Sequence, residues 1–181
     1  KVYPDMCILG KALGNGFPIT AVLGKRNIME NAQSSFISST FWTERSGYVA
    51  GLKTLEVMEN INSWKIITNQ GKKIKRMVNR IAKNNNISIN TSGLDACPSY
   101  SINSNKWQEY KTFITQELLK KNILGANTTY VSICHNDRVI KKYEIELNKI
   151  FEIIRKIETS GENIVNYLKG PVSHSGFKRL N

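Results

Sequence analysis

The stretch Met6-Cys7-Ile8-Leu9-Gly10-Lys11-Ala12-Leu13-Gly14-Asn15-Gly16 decides how the rest of the chain is read. Four apolar residues without alternation predict a strand buried on both faces, as in an α/β sheet. Gly10 stops it, and a lysine follows at once. Ligands of open α/β sheets bind at such strand ends. A lysine in a partly buried pocket there can have its pKa lowered, which makes it a nucleophile and a proton carrier. Gly14 and Gly16 let the backbone pass close to a bound group. The order excludes a Walker A loop, because the lysine precedes the glycines. A dinucleotide fingerprint is excluded because the third glycine is missing. On residue types alone, Lys11 is either reactive or an ordinary turn lysine.

Downstream, Ile19 to Leu23 reads as a second strand ended by Gly24, and Lys25 to Ala32 as a short helix. Phe36 to Trp42 is a Ser/Thr-rich loop or irregular strand. From Glu44, apolar residues at Tyr48, Leu52, Leu55 and Met58 step at helical spacing. Beyond residue 60 the character changes. Trp64, Ile67, Gly71, Ile74, Val78 and Ile81 mark one long helix, with Gly71 on its buried stripe. Strands are predicted at Ile87 to Asn90 and Ala96 to Ile102. A helix follows through Trp107, Tyr110, Ile114 and Leu118, ending near Gly125. Tyr130 to Cys134 reads as a strand. Ile140, Tyr143, Leu147, Ile150, Ile154 and Ile157 mark a last helix, with Asn136 or Asp137 as its cap. The fold class is therefore α/β over the first part and an α+β layer over the second, with the boundary near Asn60 to Asn62.

The 181 residues carry 26 Lys+Arg against 14 Asp+Glu, a net charge of +12. Residues 1–60 are nearly neutral, and +11 falls in residues 61–181. A charge of that size is the usual footprint of a nucleic-acid or anionic-surface binder. The clusters Lys72-Lys73-Lys75-Arg76, Lys120-Lys121 and Lys141-Lys142 instead sit on helix faces away from the apolar stripe, as solvated surface does. Trp64, Trp107, Tyr110 and Tyr143 fall on core stripes and do not interleave with the lysines as stacking platforms would. No apolar run is long enough to span a membrane, and Lys1 to Met6 lacks a charged region followed by a long apolar core, so a signal peptide is not expected there. Cys7, Cys97 and Cys134 show neither disulfide-framework nor zinc spacing, so they are expected as buried thiols and no metal is expected. His135 is expected in a structural role and His174 exposed. Glu144 and Glu146 are two apart on a helix and share no face. The opening Lys1-Val2-Tyr3-Pro4 looks like the loop before a strand, so the chain is expected to be a piece of a longer protein.

Pro4 to Ile19 closely resembles the Schiff-base lysine segment of the class III, pyridoxal-phosphate (PLP)-dependent aminotransferases. Ser38-Ser39-Thr40-Phe41-Trp42-Thr43-Glu44-Arg45 and Ala50-Gly51-Leu52-Lys53-Thr54-Leu55-Glu56-Val57-Met58-Glu59 resemble the same family in the same order. The glutamate-1-semialdehyde 2,1-aminomutase branch is the most similar, and the tail Gly170 to Leu180 looks like one seen there. The resemblance implies that residues 1–60 are the C-terminal part of a PLP fold-type I large domain. It implies that 61–181 are the small α+β domain and tail. By resemblance Lys11 is the lysine that holds PLP, and Thr40, assisted by Ser39, binds the cofactor phosphate across a homodimer interface. A cytoplasmic enzyme with a small-molecule amino donor and a carbonyl acceptor is implied, with neither nucleic acid nor membrane as partner. The family's pyridine-binding acid, ring-stacking aromatic and phosphate loop lie upstream of the lysine, and nothing here supplies them. Asp5, on the strand that leads to Lys11, is too near it for the pyridine role. The chain by itself is thus expected to be inactive. Aminomutases also carry an acid where Asn127-Thr128-Thr129-Tyr130 stands here, a departure that favours a plain aminotransferase. Rival readings are a basic nucleic-acid-binding module and a catalytically incomplete fragment or pseudoenzyme.

Overall fold

A computed structural model describes residues 2–176, and the end of the Gly170 to Leu180 tail lies outside the described residues. The chain divides into two compact units, Lys1–Ser63 and Trp64–Asn181.

In the first unit, strands β1 (Met6–Leu9) and β2 (Ala21–Gly24) pair antiparallel, with Met6 opposite Gly24 and Leu9 opposite Ala21. The Lys25 amide donates to the Asp5 carbonyl at 3.0 Å, and the Lys25 ammonium meets the Asp5 carboxylate at 2.6 Å. Both groups are exposed, so this ion pair adds little stability. A short helix α1 (Arg26–Met29) continues as a 3₁₀ turn over Glu30–Ser34. Residues 35 to 44 are irregular, and helix α2 runs from Arg45 to Ile61.

β1 was expected to be buried on both faces, and it is not. Ile8 is 68% exposed, and Met6, Leu9, Val22 and Leu23 are also exposed. An unbroken apolar run records that a strand needs cover on both faces, not that the same chain supplies it. Among the described residues β1 and β2 have only each other as sheet neighbours. Cys7 shares that exposure and Cys134 is exposed too, so the expectation of buried thiols fails for both. Cys97 is half-buried, and all three thiols are free.

The second unit holds the core. Helices α3 (Ser63–Asn84), α4 (Trp107–Leu119) and α5 (Asp137–Ser160) enclose it with the antiparallel pair β3 (Ile89–Ser92) and β4 (Ser99–Ile102). Leu118, Leu147, Phe151 and Ile154 are fully enclosed at its centre. Each such side chain contributes about 1.5–3 kcal/mol by leaving water. On β4 the alternation is clean: Tyr100 and Ile102 point inward while Ser99 and Ser101 are half-buried. Asn136 caps α5, its side-chain oxygen accepting from the Val139 amide at 3.1 Å. Trp64, expected on the core stripe, is 45% exposed, because α3 first meets the core a turn or more later, at Gly71 and Ile74.

One expected strand is absent. Tyr130 to Cys134 forms no strand, and pairing falls earlier, along residues 127–131. There the Tyr100 amide donates to Asn127, Thr129 to Pro98 and Val131 to Ala96, at 2.9–3.2 Å. Pro98 has no N–H to return, so the ladder stays partial. Tyr130 and Ile133 end up exposed.

Candidate active site

Lys11 stands where β1 ends. Gly10 is extended, and Lys11–Leu13 wind into a 3₁₀ turn closed by Leu13 N–H to Gly10 O at 3.1 Å and Gly14 N–H to Lys11 O at 3.2 Å. Lys11 itself adopts φ 50°, a left-handed conformation. Such a residue costs about 1–3 kcal/mol, and strain of this kind gathers at functional sites. Gly14 is buried with no room for a side chain: a Cβ would lie 2.0 Å from the Phe17 carbonyl oxygen. The chain therefore folds back tightly, so that Pro18 and Ile19 run against the start of α2. Gly47 permits that approach, since a Cβ there would be 3.0 Å from the Pro18 carbonyl oxygen.

The result is an open cleft of about 450 Å³, walled by Lys11, Ser39, Phe41, Trp42, Glu44 and Tyr48 among others. Its volume lies within the range of about 300–1,000 Å³ typical of small-molecule sites. Lys11 and Ser39, singled out from sequence, thus meet at one cleft. Thr40 is exposed and does not line it. The expected partial burial of Lys11 is not seen; its side chain is exposed.

The groups present define what the cleft can do. Lys11 brings a primary amine. The Ser39 oxygen accepts a weak 3.4 Å bond from the Phe41 amide, which leaves its own proton to donate. Glu44 is the acid of the cleft wall, but it caps α2: its Oε1 accepts from Ser46 Oγ at 2.6 Å and from the Ser46 amide at 2.8 Å. Those bonds, the hydroxyl first, hold its carboxyl below the usual carboxylate range. Asp5 is engaged with Lys25. An amine and a hydroxyl fit a carbonyl- and phosphate-bearing group such as PLP, while no acid free to serve a pyridine nitrogen lines the cleft among the described residues.

Two cleft residues were not given roles from sequence. Trp42 turns its carbonyl to the Tyr48 hydroxyl at 3.2 Å, and Tyr48 had been read only as one step of an apolar helix stripe. The signal in the sequence was the placement of a tyrosine one turn into a helix that follows a polar loop.

Elsewhere, Ser132 donates through its amide to His135 Nδ1 at 3.0 Å, so this histidine closes the turn before α5 and Asn136 does the capping. His174 is exposed. In the basic second unit, Lys73 pairs with Asp137 at 2.7 Å, Lys75 with Asp95 at 3.0 Å and Lys141 with Glu144 at 2.8 Å, while Arg80 also meets Glu144. Glu146 pairs separately with Lys149 at 2.8 Å. Tyr110 is buried in the core, and Trp107 and Tyr143 pack against it. Among the described residues no helix is long and apolar enough to cross a membrane.

A family model for class-III aminotransferases matches residues 1–157. The chain is 28% identical over 138 residues to the 3-aminobutyryl-CoA aminotransferase of Cloacimonas acidaminovorans, covering 74% of this chain and 33% of that protein. It is 29% identical over 167 residues to glutamate-1-semialdehyde 2,1-aminomutase of Saccharolobus islandicus, covering 83% and 38%. Among solved structures, the PLP internal aldimine form of FumI from Sphingopyxis sp. MTA144 superposes with a TM-score of 0.79 at 17% identity, over 88% of this chain and 39% of that one. An omega-transaminase from Sphaerobacter thermophilus gives 0.73 at 16% identity, over 83% and 39%. Likeness at these identities speaks for the fold alone. The chain spans 33% to 38% of the length of the two curated relatives. With its family model covering most of its length, the chain belongs to the class-III aminotransferase family.

Proposed function

We propose that this chain is the C-terminal portion of a PLP-dependent fold-type I aminotransferase or aminomutase, with Lys11 as the lysine that holds the cofactor. In this reading residues 1–60 complete the large cofactor-binding domain, and 61–181 are the small domain and tail. The observation that carries it is the meeting of Lys11, in its left-handed turn, with Ser39 at one cleft of ligand size. Bound PLP supplies an aldehyde for the amino group and an electron sink for the carbon that loses its proton.

The chain's own residues have the following parts. The Lys11 amine would hold the cofactor through its carbonyl, would yield that place to a substrate amine, and as a free base would take up and return the substrate's proton. The Ser39 hydroxyl would donate to the cofactor phosphate. Thr40, which does not face the cleft of its own chain, serves through its hydroxyl and amide the phosphate held by a second copy, so the enzyme is a homodimer. Substrates are small amino donors and carbonyl acceptors, and the setting is cytoplasmic. The absence of an acid at Asn127 to Tyr130 favours transfer between two molecules over the internal shift of an aminomutase. Nucleic acid has no place in the proposal, since the basic helices spend much of their charge on neighbouring carboxylates. The portion alone is inactive: the wall of the cleft has no acid for the pyridine nitrogen, and β1 and β2 lie bare.

The test uses the complete protein loaded with PLP. Borohydride reduction and peptide mapping should find the cofactor on Lys11, and Lys11→Ala should abolish the visible absorbance. Label on another lysine, or colour retained in the variant, overturns the assignment.

A further inference from the structure

We propose that Asn15 is a site of spontaneous deamidation, which installs a carboxylate in the turn that follows Lys11. Asn15 is the one asparagine of the chain followed by glycine. It is exposed, and its side chain takes part in no hydrogen bond among the described residues. Asn15 adopts φ 47° and Gly16 φ 111°, at the outer point of the turn that Phe17 N–H closes onto Gly14 O at 3.1 Å. The Gly16 amide donates to nothing among the described residues. Apart from its two chain neighbours, nothing lies within 4 Å of the place where a Gly16 Cβ would be, so the space beside the turn is open to water.

The chemistry follows from those groups. The Gly16 amide nitrogen attacks Asn15 Cγ and gives up its proton; the bond from Cγ to the side-chain nitrogen breaks, and ammonia leaves. Water then opens the five-membered imide at either carbonyl, giving aspartate or isoaspartate. A side chain on the following residue would crowd the attack, and glycine has none.

Other asparagines before small residues lack this combination. Asn103 is held through Ser88 and Asn90, and the Ser104 amide is engaged with the Ile102 carbonyl at 2.9 Å. Asn62 precedes Ser63, which has a Cβ and is 8% exposed. The isoaspartyl product lengthens the backbone by one carbon where the turn is tightest, so the modification also loosens the support of Lys11. The proposal needs no assignment of cofactor.

The test ages the 181-residue chain in mildly alkaline buffer, native and in urea, and then maps peptides by mass spectrometry and by isoaspartyl methyltransferase labelling. The native chain should convert Asn15 before any other asparagine, with an acidic shift in charge-sensitive separation that Asn15→Gln abolishes. If Asn15 converts only in urea, or the shift persists in Asn15→Gln, the proposal fails.

Discussion

The hydroxyl of Tyr48 donates a 3.2 Å hydrogen bond to the backbone carbonyl of Trp42, tying α2 to the loop that carries Ser39 and Thr40. Tyr48→Phe removes this bond and little else, because the ring is half exposed. One neutral hydrogen bond is worth about 0.5–1.5 kcal/mol net, so the overall fold should persist. The loss should fall on the loop. Hydrogen exchange should quicken at the Phe41 and Glu44 amides, which bond within it. Unchanged exchange there would mean that the loop stands without its tether.

The helices were legible because their apolar residues repeat at three and four, and α2, α3, α4 and α5 fall where that spacing puts them. The site was legible in part. Lys11 and Ser39 share a cleft, but their approach depends on how tightly residues 14–19 fold against Gly47, and no local pattern encodes that. The strand at Tyr130 to Cys134 was misread because β-branched and aromatic composition does not reveal a proline on the neighbouring edge. Burial of β1 was misread for a related reason: composition states a need for cover that only tertiary structure can meet.

Gly71 offers a sharper test of packing. A Cβ at this position would sit 1.5 Å from the Asp95 carbonyl oxygen, which is backbone and cannot rotate away. Lys75 pins the same turn, reaching the Gly93 carbonyl at 2.7 Å and the Asp95 carboxylate at 3.0 Å. In a helix interior alanine normally gains up to about 1 kcal/mol over glycine. Overpacking costs about 1–3 kcal/mol and should win here. Gly71→Ala should therefore lower the urea midpoint of the second unit; a rise would show that the turn yields freely.

Three core tyrosines set an alkaline limit. Burial, and then the hydrogen bond to Glu158, pushes Tyr110 up to about 12. Burial pushes Tyr143 up to about 12, and burial first, then the neighbouring Tyr143, pushes Tyr100 well above its ordinary value. A phenol whose folded pKa is raised stabilises the fold fully below the unfolded value near 10. That contribution is lost as pH rises through the folded value. Ultraviolet titration should show these three phenols ionising only together with alkaline unfolding. Tyr110→Phe should remove part of that late step. Ionisation of these three near the ordinary value with the fold intact would contradict the burial.

Among the described residues every buried apolar side chain of the core belongs to the second unit, from Ile74 to Ile164. The first unit buries Gly14, Gly47 and Gly51 but no large apolar side chain, while Ile8, Leu23, Leu52 and Leu55 are each more than half exposed. Hydrophobic burial is the main term that offsets chain entropy, so stability should be divided as unequally as the burial. Residues 64–176 expressed alone should unfold cooperatively in urea. Residues 2–63 alone should bind ANS and show no cooperative transition, because their apolar surface stays in water. Cooperative unfolding of 2–63 would show that its apolar strands find cover within the unit, and would count against the proposal that a further part of the protein covers them.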